Sequence, residues 1–280
     1  MHCNRAQIRA TCGEELSGMR VFVAGGTGVI GRRLVRQLVA RGHQVTATTT
    51  SKERLGLITN PNVECVVMNG LDAAMVHDVV AAAQPDSIVN QMTGLSEAHA
   101  GKLNPRRTEQ FFAVTNRLRS EGIDHLLAAA HAIGVSHVVS QSAGIFNGIR
   151  EGGWIKTEDE PLEVVEGTKA LTHLEDAVVT AGGAALRYGA LYGAEADAEQ
   201  VKLVRRRLVP LVGGGRGYSS LIHVDGAASA TVLAVEQRAR GVFNICDDEP
   251  APFSEWLPYL ARNARGPSRP GGCRCGWPVC

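Results

Sequence analysis

Three glycines at positions 25, 28 and 31, in the stretch AGGTGVIGRRL (24–34), are the strongest chemical signal in the chain. A diphosphate held by backbone needs amide N–H groups at a helix N-terminus and no side chain in the way. Glycine meets both needs and permits the turn. The spacing of three and three, overlapping Gly26-x-Gly28-x-x-Gly31, therefore reads as a dinucleotide loop formed by Gly25, Thr27, Gly28, Val29, Ile30 and Gly31. A second cluster follows: Thr48, Thr49, Thr50, Ser51 and Lys52, with Arg54 further on and no acid before Glu53. An acid at this place would bond an adenosine ribose and repel a 2′-phosphate, whereas hydroxyls and cations attract one. Thr50, Ser51 and Lys52 are expected at the adenosine end, with NADP preferred over NAD. The cysteines offer no comparable chemistry. Cys3 and Cys12 sit near one end, Cys273, Cys275 and Cys280 crowd the other, and the paired spacing of a zinc site is missing. No metal is expected.

A glycine loop of this kind works only between a strand and a helix. MRVFVAGG (19–26) is a short apolar run ending in glycine, and Ile30, Leu34, Val35, Leu38 and Val39 recur at helical spacing up to Gly42. Further strands are expected at 44–50, 63–69, 86–92, 136–144 and 184–193, with helices at 72–83, through LLAAAHAIG and over EGTKALTHLEDAVVTAG. This alternation predicts an α/β protein with a doubly wound parallel sheet, a Rossmann fold, and right-handed crossovers. Residues 19–193 are expected to form the NAD(P)-binding domain. Residues 194–261 carry a helix at AEQVKLVRRRLVP, a strand and helix in SSLIHVDGAASATVLAVEQ and a strand in GVFNICDDEP. They predict a small C-terminal substrate lobe with returning strands, truncated relative to a full one. Residues 1–18 lack periodicity, and 262–280 fill with Arg, Gly, Pro and Cys, so both are expected to be irregular.

The 29 basic and 28 acidic side chains nearly cancel, which removes any pull toward polyanions, so nucleic acid is not an expected partner. No apolar run approaches membrane-spanning length. A soluble cytoplasmic protein with a small-molecule substrate is the expectation.

Taken together, GGTGVIG, DSIVNQM, VVSQSAG, LRYGALYG, LIHVDGAASA and GVFNICDDEP resemble the short-chain dehydrogenase/reductase superfamily over about 19–261. The likeness is to its extended and atypical branches, the NAD-dependent epimerase/dehydratase group. It implies an oxidoreductase or epimerase acting on a small carbonyl, hydroxyl or sugar-type substrate. It also implies a serine after the fifth strand and a tyrosine four residues before a lysine. The tyrosine exchanges the substrate proton, the lysine lowers its pKa and holds the nicotinamide ribose, and the serine orients the substrate oxygen. Ser142 matches the serine, with Ser140 as a substitute, and Lys169 matches the lysine, but Val165 stands where the tyrosine belongs. Valine carries no exchangeable proton, and the missing general acid–base contribution is on the order of 10²–10⁴ in rate. Tyr188 is the candidate replacement, with Tyr192 and His173 behind it. Arg119 occupies the offset of the asparagine expected in the long central helix, and Asn116 lies one turn earlier. Two other readings stay open: a catalytically silent NADP sensor and a truncated paralogue without function. The spacing of Leu171, Leu174 and Val178 suits both a homodimer interface and core packing.

Overall fold

The computed structural model describes residues 18–95, 108–144, 155–160, 162, 166–193, 195–196 and 198–264. The chain runs β1 (Arg20–Ala24), α1 (Val29–Ala40), β2 (Gln44–Thr49), a 3₁₀ turn (Lys52–Leu57), β3 (Val63–Val67), α2 (Ala73–Ala83) and β4 (Ser87–Asn90). It continues with α3 (Thr108–Arg117), a π turn (Leu118–Gly122), α4 (Ile123–Ala132), β5 (Val138–Ala143), α5 (Lys169–Thr180) and β6 (Ala184–Tyr188). The last part holds β7 (Ala190–Tyr192), α6 (Ala198–Arg205), β8 (Tyr218–Ser219), β9 (Leu221–His223), α7 (Val224–Glu236), β10 (Gly241–Ile245), β11 (Ala251–Pro252) and α8 (Phe253–Ala264).

Seven strands make one parallel sheet in the order β10-β6-β5-β4-β1-β2-β3. The period of two along β1 shows why it is sandwiched. Val21 and Val23 point into the layer of α1 and α7, among Leu34, Leu38, Ala228 and Val232. Phe22 and Ala24 point the other way, among Val76, Val80 and Leu126 of α2 and α4. Both faces are covered, so the strand reads as unbroken apolar sequence. α5 lies beside α4, with Leu174 and Val178 closed against Ile123. The spacing of Leu171, Leu174 and Val178 is therefore spent on the core.

The strand order reverses between β1 and β4, where Ala24 pairs with Asn90. At such a point the crossovers leave in opposite directions and open a crevice at the carboxyl ends of the strands. The glycine loop leaves β1 into this crevice.

Two boundaries differ from expectation. α6 stops at Arg205 rather than running through Pro210, because Arg207 is left-handed (φ 57°) and ends the turn. α8 runs to Ala264, three residues into the stretch expected to be irregular, because Ala261 and Ala264 are buried on its inner face. Residues 1–17 and 265–280 lie outside the described residues.

Candidate active site

The loop between β1 and α1 is built by close backbone approach. Gly25 is left-handed (φ 83°), and a Cβ there would stand 2.7 Å from the Gln91 carbonyl oxygen. A Cβ on Gly31 would run into the carbonyl oxygens of Gly25 and Gly26, the latter at 2.7 Å. The Gly25 amide donates to Thr48 Oγ1 (3.0 Å) and the Gly28 amide to the Gly25 carbonyl (3.0 Å), which holds the turn shut. Gly28 caps α1 with extended backbone and no side-chain bond, and the helical bonding at this end starts from Arg32 N–H to the Gly28 carbonyl. The amides of the first turn, Val29, Ile30 and Gly31, thus keep their protons for a ligand. The side chain of Gln91 is buried and turned to Tyr188, and its Oε1 lacks a partner among the described residues. A bare cradle of amide donors fits a dinucleotide diphosphate.

At the adenosine end, Thr50 and Lys52 are exposed and Ser51 is half-buried. The Ser51 hydroxyl is engaged by Glu53, whose carboxyl lies below its ordinary value because its own backbone amide, and then Ser51, bond it. Thr48, grouped with these hydroxyls in the sequence, is buried and committed to Gly25. Thr49 Oγ1 is buried at the end of β2 with no partner. Arg54 reaches across to the loop, its Nη2 donating to the Thr27 carbonyl at 2.9 Å. From the other side Arg32 Nε meets the Gly28 carbonyl at 3.4 Å, and the same guanidinium pairs with Glu195. The sequence counted Arg54 among the cations that attract a 2′-phosphate; its contact with the glycine loop comes from the 3₁₀ turn that carries it.

Around β5 the grouping departs from expectation. The Ser142 hydroxyl donates to Glu175 Oε1. Arg187 grips the same carboxylate, with Nε 3.0 and 3.1 Å from its two oxygens and Nη2 2.8 Å from Oε2, and its Nη1 donates to the Glu160 carbonyl at 3.0 Å. Glu175 and Arg187 are each 5% exposed. Glu175 was not singled out in the sequence; its only sign there was an acid on the buried face of a helix. Leu171 stands one turn earlier on that face and is fully buried. Lys169 is exposed, and two residues at 100° each turn it well away from Leu171. The partner of Ser142 is thus Glu175. Val165 lies outside the described residues. Ser140 is buried and accepts from Asn90 Nδ2 (3.1 Å).

Tyr188, the candidate replacement acid, is enclosed. Its ring is buried, its hydroxyl lies 2.6 Å from Thr231 Oγ1, and Gln91 Nε2 donates to it at 3.0 Å. Thr231 passes its own proton to the Ala227 carbonyl (2.7 Å), so Tyr188 donates to Thr231. Burial raises its pKa above the ordinary tyrosine value. A hydroxyl so enclosed packs the core and does not exchange protons with substrate. Tyr192 is bonded to Asp247, which raises its pKa as well, and His173 pairs with Asp124 (2.9 Å) on the outer surface of α5 and α4.

A cleft of about 450 Å³ runs along α8 past Trp256, Tyr259 and Arg262. It shares no residue with the glycine loop or β5, and the chemistry places the site in the crevice instead. Among the described residues no helix is long and apolar enough to cross a membrane.

A model of the NAD dependent epimerase/dehydratase family matches residues 21–246. A protein of Streptomyces sp named 3-diazoavenalumate denitrifying reductase is 39% identical over 264 residues, covering 89% of this chain and 83% of its own. A 4-hydroxy-2-methyl-3-oxo-4-farnesyl-3,4-dihydroquinoline-1-oxide ketoreductase of Stigmatella aurantiaca is 27% identical over 260 residues, 86% of this chain and 72% of its own. Among solved structures, the Bordetella bronchiseptica enzyme WbmH in complex with NAD+ superposes with a TM-score of 0.72 at 19% identity, covering 90% of this chain and 84% of that one. The UDP-glucose 4-epimerase of Thermotoga maritima with UDP-glucose gives 0.72 at 20% identity with the same coverage. The family match, the named reductases and the glycine cradle agree: this chain belongs to the NAD dependent epimerase/dehydratase family and is an enzyme of the NAD(P)-dependent oxidoreductase or epimerase type.

Proposed function

We propose that the enzyme is an NADP-dependent reductase that delivers hydride to an arene already activated by a diazo group, and that it does so without a proton donor. The observation that carries this reading is where the protons point. Ser142 turns its hydroxyl proton to Glu175, Tyr188 gives its own to Thr231, and Tyr192 is bonded to Asp247. Valine occupies position 165. Reduction of a carbonyl leaves an oxyanion that must be protonated, and without an acid the rate falls by about 10²–10⁴. A bound reduced nicotinamide supplies a hydride, and a diazonium carbon that takes it up releases dinitrogen with the C–N electron pair, so no proton enters the balance. The 39% identical relative, named a denitrifying reductase of a diazo compound, supports the same chemistry.

The residues divide the work as follows. The first-turn amides of Val29, Ile30 and Gly31, left open by Gly25, Thr27 and Gly28, hold the diphosphate. Thr50, Ser51 and Lys52 meet the adenosine ribose with Arg54, whose guanidinium favours a 2′-phosphate and hence NADP. Ser142, with its proton turned inward, offers lone pairs to a cationic group. Lys169 takes no proton step. The elements from 194 to 261 cover the substrate side.

The test is turnover of an arenediazonium salt with NADPH deuterated at C4, scored by deuterium in the arene and corrected for the rate without enzyme. Deuterated arene and dinitrogen, with no turnover of ketones, aldehydes or UDP-sugars, are expected. Val165→Tyr should leave diazo reduction unimproved. Carbonyl turnover with none of the diazo compound would overturn the proposal.

A further inference from the structure

The π turn Leu118–Gly122 holds a side chain that the fold alone does not account for. Its other polar groups are matched within a few residues. Arg117 forks onto Glu121 at 2.7 and 2.9 Å, Ser120 donates to the Asn116 carbonyl at 3.0 Å, and Thr115 accepts from the Gly94 amide at 3.0 Å. Arg119 is half-buried, and no hydrogen bond or ion pair to its guanidinium is found among the described residues. One turn earlier, Asn116 Oδ1 is buried and also without a partner. Desolvation presses Arg119 down to about 10, still charged at neutral pH.

The turn also aims this residue. In a π turn the bonds close five residues apart, so side chains four to five apart stack; Arg119 thus stands over Ile123, which packs on α5. Its neighbour Leu118 meets the space beside Gly70, where Met92 also packs. Met92 follows Gln91, whose carbonyl abuts Gly25, and its own carbonyl lies 3.5 Å from Gln141 Nε2 of β5. Arg119 therefore flanks the crevice between the ends of β4 and β5 and the start of α5.

We propose that Arg119 is the anchor for a carboxylate on the substrate: its planar fork of N–H donors pairs with a two-oxygen anion and gives the guanidinium the partner it lacks among the described residues. The inference rests on the crevice being the active site and extends it by naming an acid, rather than a neutral arene, as the substrate class. The name of the 39% identical relative describes a diazo-bearing acid anion, in agreement.

The experiment measures binding without turnover, so that it stands or falls apart from the diazo chemistry. Cinnamate and its neutral amide are titrated by calorimetry into the full chain saturated with NADP+. Wild type is expected to prefer the acid, and Arg119→Gln to weaken cinnamate by about 50-fold while leaving the amide and the NADP+ affinity unchanged. Arg119→Lys, which keeps charge but loses the fork, should fall between. Equal binding of acid and amide by wild type would overturn the proposal without any variant. So would equal loss of both ligands in a folded Arg119→Gln protein. Acid-selective binding with no diazo turnover would sustain the anchor and sink the reductase reading.

Discussion

Replacing Glu175 with alanine should strike both the stability of the sheet and the geometry of Ser142. The carboxylate receives three contacts from Arg187 between 2.8 and 3.1 Å and one from Ser142. With both charged residues 5% exposed, water cannot replace what is lost. Arg187 keeps its bond to the Glu160 carbonyl but loses the carboxylate that both its Nε and its Nη2 grip. Breaking a buried pair in this way costs about 3–5 kcal/mol. In a domain of this size each kcal/mol lowers Tm by about 2–4 °C, so a fall of about 6–20 °C is expected by calorimetry. Urea titration should show the same loss as a lower midpoint at unchanged slope. The double variant Glu175→Leu with Arg187→Met removes both charges and should recover most of it, because apolar packing without desolvation cost often equals a buried ion pair. A Glu175→Ala protein within about 1 kcal/mol of wild type would refute the reasoning, since that is the range of an exposed pair.

Gly31→Ala places a Cβ against the carbonyls of Gly25 and Gly26, so NADPH binding followed by nicotinamide fluorescence should be lost while the far-UV spectrum is kept. Arg54→Gln should lower the preference for NADPH over NADH by about 10-fold, the worth of one charge-assisted contact of about 1.5 kcal/mol, read from the two dissociation constants. Tyr188→Phe leaves Gln91 Nε2 without its acceptor and should cost about 1–2 kcal/mol in urea denaturation with kcat unchanged; a collapse of kcat would restore Tyr188 as an acid. His137, bonded by Ser87 (2.9 Å) and the Ala239 carbonyl (3.2 Å), has its pKa lowered by burial from the ordinary 6.5. Its neutral form belongs to the fold, so its contribution is complete above pH 6.5 and fades as pH falls toward the lowered value, where the unfolded chain binds the extra proton. Stability measured from pH 8 to 5 should decline below 6.5, and less so in His137→Gln.

The fold and the cofactor cradle were legible in the order of residues because both rest on neighbours. Strand and helix periodicities are local, and the three glycines sit on one loop whose shape is set by its own backbone. The site around β5 was not legible, because its meaning depends on partners far along the chain. Tyr188 looks like a free acid until the fold brings it Gln91, 97 residues away, and Thr231, 43 away. Ser142 shows no partner in the sequence until α5 turns Glu175 toward it from 33 residues off. Arg54 becomes part of the glycine loop only through a contact spanning 27 residues. Spacing tells which face of a helix a residue occupies relative to its own neighbours; which proton acceptor that face will meet is decided by packing between elements.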